Sequence, residues 1–314
     1  MSSFLAKRLA GALVVLALVS MMSFAIIWLV PGDPTAAFLD TSATPEQVAR
    51  LRRELGLDKP ILVQMVDWYG RVLRGDLGHS ILLNRSVTAA ILERLPVTLS
   101  LTGFALVLAL IGGIAAGIVA AVNHNRWPDQ LVMTVALFGL SVPDFWLGIM
   151  LILVLAVQFG LFPTGGYIPL GDDPFGWMRS IIMPAATLAI IQVGFIARMT
   201  RASMLEVLNQ DFIRTADAKG LKRAEIMLRH GLPNALVPIL TVGGIVAGAL
   251  LGGAVIVEQV FSIPGVGRLI IGGILSRDYP VIQGGLLFLA VIYLMVNLAV
   301  DVLYAVADPR VRLE

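Results

Sequence analysis

Residues 97–122 read VTLSLTGFALVLALIGGIAAGIVAAV, a run without a single charged side chain. At 1.5 Å per residue a helix of this length crosses a hydrocarbon layer of about 30 Å. Lipid offers the backbone no hydrogen-bond partner, so a segment exposed to it must bond within itself, and the run is predicted to be a transmembrane helix. Five further stretches meet the same criterion: 9–30, 131–159, 181–199, 236–257 and 281–305. Pro143 falls in the middle of the third span and predicts a kink or break there, whereas Pro184 is expected in the first turn of the fourth, where a missing N–H costs least.

Composition agrees. Of 314 residues, 58% are hydrophobic and 14% charged, against about a quarter charged in soluble domains, and the mean hydropathy is +0.88. A soluble globular protein is excluded. The net charge of +2 comes without a basic stripe interleaved with aromatics, so nucleic acid is not an expected partner. Cysteine is absent, which removes disulfides, thiolate nucleophiles and Cys-ligated metals. Lys7 and Arg8 before an apolar run resemble the start of a signal peptide. The run is too long and lacks a small-x-small cleavage site, so it is read as a retained first span.

Basic residues set the expected orientation. With the N-terminus inside, the inner segments hold Lys7, Arg8, Arg126, Arg198, Arg201, Arg214, Lys219, Lys222, Arg223, Arg229, Arg310 and Arg312; the two short outer loops hold Arg179, Arg268 and Arg277. Both termini are therefore expected in the cytoplasm. The chain divides into 1–30 (cytoplasmic end and first span), an extracytoplasmic segment 31–96, a five-helix core 97–305 with a cytoplasmic loop 200–235, and a tail 306–314. The 31–96 segment opens on the breaker cluster Pro31-Gly32-Asp33-Pro34 and continues through Thr44-Pro45-Glu46-Gln47, an N-cap followed by helix.

No Gly-x-x-x-x-Gly-Lys-[Ser/Thr] occurs, so the chain carries no phosphate-cradling loop of its own, and neither His-Glu-x-x-His nor Gly-x-Ser-x-Gly is present. Catalysis, bound cofactors and metals are not expected. Two carboxylates, Asp144 and Asp301, fall within spans. They have two readings: ion-linked groups of a secondary transporter or channel working without ATP, or, preferred, Asp301 at the interface and Asp144 capping N–H groups freed at Pro143.

The loop reads SMLEVLNQDFIRTADAKGLKRAEIMLRHGLP over 203–233. Leu205, Leu208, Phe212 and Ala216 recur at helical spacing and predict one amphipathic helix. Lys219-Gly220 ends it, with glycine free to take the left-handed cap. A second short helix is expected over 221–230, ending before Pro233. Such a surface either docks a partner's groove or lies on lipid head groups.

This loop resembles the cytoplasmic signature of binding-protein-dependent ABC importer permeases, in which a glycine is followed at fixed spacing by Leu-Pro, as Gly220 is by Leu232-Pro233. Arg214-Thr215-Ala216 stands where Glu-Ala-Ala is usual, and Arg-Thr-Ala-x-Ala-Lys-Gly is similar to the dipeptide/oligopeptide/nickel branch. Further matches to that branch are Pro31-Gly32-Asp33-Pro34, Gly75-Asp76-Leu77-Gly78, Glu93-Arg94-Leu95-Pro96-Val97-Thr98, Val257-Glu258-Gln259-Val260-Phe261, Arg277-Asp278-Tyr279-Pro280 and Ala307-Asp308-Pro309-Arg310. The resemblance implies an all-α integral membrane protein with six transmembrane helices and the type I ABC importer permease fold. It implies import driven by ATP and Mg bound on other subunits. The partners implied are a second homologous permease, two P-loop ATPase subunits and an extracytoplasmic solute-binding protein, in a bacterial or archaeal inner membrane. It assigns ATPase coupling to Asp211, Phe212, Ile213, Arg214, Thr215, Ala216, Ala218, Lys219, Gly220, Leu232 and Pro233. Gly113 and Gly117 in span two, and Gly244, Gly248 and Gly252 in span five, are expected to let helices approach closely in lipid.

Overall fold

The computed structural model describes residues 2–29, 44–54, 57–80, 82–222 and 225–307. The opening Pro31-Gly32-Asp33-Pro34 and the tail beyond Ala307 lie outside them. The chain divides into two units, Met1–Pro96 with Pro264–Leu294, and Val97–Ile263 with Met295–Glu314.

The first unit opens with helix α1 (Ser2–Leu29), most of whose apolar surface is exposed. Helix α2 (Pro45–Glu54) starts in a reciprocal capping box: Thr44 N–H donates to Gln47 Oε1 (2.9 Å) and Gln47 N–H to Thr44 Oγ1 (3.3 Å). Helix α3 (Ile61–Val72) buries Trp68, which packs with Phe24 of α1 and with Leu287. The Lys59 ammonium donates to Asp67 at 2.7 Å, and this hydrogen bond holds the exposed Asp67 carboxyl below its ordinary value. Two short strands, β1 (His79–Ser80) and β2 (Arg85–Ser86), pair antiparallel, and Ser80 Oγ donates to the buried Asp278 carboxylate at 2.5 Å.

Helix α4 (Val87–Val122) leads into the second unit and continues through Pro96. The expected third span is two helices, α5 (Trp127–Ser141) and α6 (Asp144–Leu151), the latter running on as π-helical turns over Ile152–Gln158. The two arms meet at 103°. The break was expected at Pro143; its size was not. Val142 and Pro143 are both extended, so the chain leaves the helix altogether there instead of bending it. Asp144 opens α6, yet among the described residues no backbone N–H donates to its carboxylate, contrary to the expected cap; its Oδ2 lies beside Gly253 instead. Counting the broken pair as one, the described residues hold six candidate spans; five of them are single helices.

Helix α7 (Pro174–Leu208) corrects a second expectation. It begins well before the apolar run, with Asp173 accepting from Phe175 N–H, so Pro184 lies in its interior and not in its first turn. Sixteen of its residues are buried. Ile181, Leu188 and Ile196 form the unit's core with Leu101 of α4 and with Leu250 and Val257 of helix α9 (Leu232–Val260). The core is sealed by Thr98 Oγ1 donating to the fully buried Glu258 at 2.6 Å. Helix α10 (Val266–Leu275), too short to cross a membrane, was hidden in what reads as a loop. Helix α11 (Tyr279–Ala307) follows.

One ion pair ties the start of α5 to α7. Arg201 grips Asp129 with both arms, Nε to Oδ1 at 2.5 Å and a terminal nitrogen to Oδ2 at 2.7 Å, while Asn125 N–H donates to Oδ2 and His124 Nδ1 stands 3.0 Å from Arg201. Asp129 is 4% exposed at its side chain, so losing its partner strands a buried carboxylate. Arg201→Ala is expected to cost about 3 kcal/mol and to lower the temperature of half-unfolding in detergent. The exchanged pair Asp129→Arg with Arg201→Asp should recover part of the loss; no recovery would mean that the pair's surroundings, not its charge, matter.

Candidate functional site

The candidate site is the segment joining α7 to α9. The amphipathic helix expected through Leu205, Leu208, Phe212 and Ala216 is divided there between the end of α7 and a separate short helix. Helix α7 stops at Leu208, where Asn209 and Gln210 N–H groups close back on Glu206 and Val207 carbonyls and Asn209 Nδ2 caps the Leu205 carbonyl. Gln210 is extended, and α8 (Asp211–Ala218) sets off from it, with Asp211 in its first turn where the helix dipole favours a negative charge. This break explains why the stripe Leu205, Leu208, Phe212 and Ala216 does not line up. On α8 the buried residues are Ile213 and Ala216, which pack with Ile226, Leu208 and Leu221, whereas Phe212 is 39% exposed.

Beyond those two, the side chains of α8 point outward. Asp211, Arg214, Thr215, Asp217, Ala218 and Lys219 are exposed, with Arg214 3.3 Å from Asp211 and Thr215 Oγ1 bonded to the Asp211 carbonyl. The helix ends in a Schellman cap. Gly220 sits at φ +76°, its N–H bonds the Asp217 carbonyl (2.9 Å), and Leu221 N–H bonds that of Ala216 (3.4 Å). Leu221 then folds its side chain against the Ile213, Ala216 and Ile226 cluster, the apolar contact that accompanies this cap.

The second short helix expected over 221–230 does not end before Pro233. Among the described residues 225 begins a helix whose turns over Ile226–Gly231 are π-helical and run into α9. Pro233 has no N–H to give, and the widened turn absorbs the missing bond, while Asn234 Nδ2 takes up the His230 carbonyl at 2.7 Å. Leu232 is half-buried against the cluster of Met204 and Ile239, and Pro233 is exposed. Thus α8 and its cap form one surface, while Leu232 belongs to the packing behind it. The contribution of Ile226 was missed; the only signal for it is its apolar character within a charged stretch.

The packing glycines divide. A Cβ on Gly113 would stand 2.5 Å from Ile196 Cβ, and one on Gly117 2.6 Å from the Ala197 carbonyl oxygen, so α4 and α7 touch backbone to backbone there. Gly244 lies against Val300 of α11, and Gly248 is buried. Gly252 is exposed with nothing within 4 Å; its neighbour Gly253 makes the approach, to Leu188. Among the described residues no group of His, Asp or Glu side chains is arranged to hold a metal.

An exposed, capped short helix slung between two long membrane helices agrees with what comparison with known proteins finds. The family described as "Binding-protein-dependent transport system inner membrane component" matches residues 113–313, and its N-terminal companion matches 1–102. The chain belongs to this family. A peptide transport system permease protein of Brucella abortus (strain 2308) is 47% identical over 312 residues, 99% of each chain. The glutathione transport system permease protein GsiC of Escherichia coli (strain K12) is 41% identical over 312 residues, again 99% of each. Among solved structures, the MetNI methionine ABC transporter in an inward facing conformation superposes with a TM-score of 0.57 at 19% identity, covering 69% of this chain and 96% of that one. The binding-protein-dependent permease is therefore a multi-pass component of the inner membrane with the type I importer fold, and it works with ATPase and binding-protein partners.

Proposed function

We propose that this permease forms half of the pathway of an importer for peptides or a related small solute, and that α8 with its Gly220 cap is where partner ATPases push on it. The complex would hold a second homologous permease, two ATPase subunits and an extracytoplasmic solute-binding protein. Both termini and the 200–235 segment would face the cytoplasm, as the distribution of twelve basic residues against three favours. Peptide and glutathione transport in the names of full-length relatives supports the solute class.

The observation that carries the coupling assignment is the exposure of α8. Two of its residues anchor it to the α7 and α9 ends, and the rest present charge and one aromatic, Phe212, to whatever covers them. An aromatic at the centre of a charged knob is the usual anchor of a helix-in-groove contact. Because the chain has no cysteine, Phe212→Cys is a unique label. In native membranes it is expected to cross-link to a P-loop ATPase, and the complex should also yield a second permease. A label that reacts only with lipid-soluble probes would sink the assignment.

A further inference from the structure

Helix α3 presents three sectors. Met65, Trp68, Tyr69 and Val72 pack toward α1. Leu62, Val66 and Leu73 fall within about 40° of one another at 100° per residue and are 71%, 66% and 86% exposed. Asp67, Arg71 and Arg74 occupy a third, polar sector and, with Lys59 and Arg53, line a cavity of about 610 Å³ whose charge is predominantly positive.

Depth decides what covers the second sector. The apolar span of α1 runs from Arg8 to Trp28. Trp68 of α3 packs on Phe24, ring centres 5.9 Å apart, and Tyr69 OH bonds Ser20 Oγ at 2.9 Å. At 1.5 Å per residue these partners lie about 6 and 12 Å below Trp28. Helix α3 therefore lies beside the last turns of the span and not beyond its end, at the 5–10 Å depth where amphipathic helices rest in a membrane interface. A Tyr hydroxyl at that depth needs a partner, and Ser20 supplies it.

We propose that α3 is an interfacial helix. Its Leu62, Val66 and Leu73 face lies in the acyl chains of the leaflet at the C-terminal end of α1, and Lys59, Arg71 and Arg74 reach the lipid phosphates. This placement holds for either orientation of the chain, so it stands or falls separately from the coupling role of α8.

The test uses the full chain with its partners in vesicles of phosphatidylethanolamine and phosphatidylglycerol. Nitroxide labels go on Leu62→Cys, Val66→Cys, Leu73→Cys and Asp67→Cys. Collision with oxygen is expected to exceed collision with a water-soluble nickel chelate at the first three and to fall below it at Asp67→Cys. In intact membranes a charged maleimide should label Leu62→Cys at least tenfold more slowly than Asp67→Cys. Equal nickel access at all four would put the face in water and overturn the proposal. So would labels at 62, 66 and 73 that are closed to both reagents, since that result means a protein partner covers them.

Discussion

Gly220→Val is expected to leave the permease in the membrane at its normal level and to cut ATP-driven uptake by at least about tenfold. Gly220 sits at φ +76°, with nothing within 4 Å of where a Cβ would stand. The obstacle to valine is thus conformational: the left-handed region costs an ordinary residue about 1–2 kcal/mol and a β-branched one more. Both bonds of the cap, from Gly220 and Leu221 N–H, depend on that conformation. Without it, α8 loses the reverse turn that returns Leu221 to the Ile213 cluster. Gly220→Asn, which tolerates the left-handed region, should keep most of the uptake. Uptake and ATP hydrolysis are to be measured together in the reconstituted complex, where hydrolysis should persist while transport fails. Normal uptake by the valine variant would remove Gly220 from the coupling path.

The second large effect lies in the seam between α4 and α7. A valine at Gly117 would put Cβ 2.6 Å from the Ala197 carbonyl oxygen and 2.5 Å from Thr200 Cβ. A carbonyl in mid-helix cannot step aside, so the two helices must part, at the upper end of the 1–3 kcal/mol typical of overpacking. In lipid, where apolar surface has no reason to prefer protein over solvent, that close packing is much of what joins the helices. The variant is expected to accumulate several-fold less and to unfold at lower temperature in detergent. Gly252→Val, on an exposed face, should accumulate like the parent. Equal behaviour of the two would show that the seam is not what holds the bundle.

How far the sequence alone carries can be judged residue by residue. Long apolar runs located the spans, because lipid imposes one requirement that composition reports directly. Their ends were less legible: α7 extends into charged sequence at both ends, where tertiary packing and not hydropathy sets the limit. Pro143 announced a break but not an angle, since the angle depends on what Val142 and Pro143 do outside the helix. In the loop, glycine's conformational role at 220 was readable from residue type. The interruption at Asn209 and Gln210 was not, because both residues also occur within helices and nothing local forbids continuation. That single break moved the buried face from Phe212 to Ile213. Helix α10 escaped because its ten residues, VGRLIIGGIL, carry an arginine and three glycines and so resemble a loop as much as a helix.

The length of α7 has a mechanical consequence. Its 35 residues form one rod, roughly 52 Å long, and α8 is fixed to its end through a turn of two residues. Gly113 and Gly117 clamp α4 against the same rod in the half nearer α8. A force on α8 therefore works as on the short arm of a lever whose fulcrum is that clamp. With α8 as the place where partner ATPases push, as proposed above, a small displacement there would be magnified at the remote end of α7.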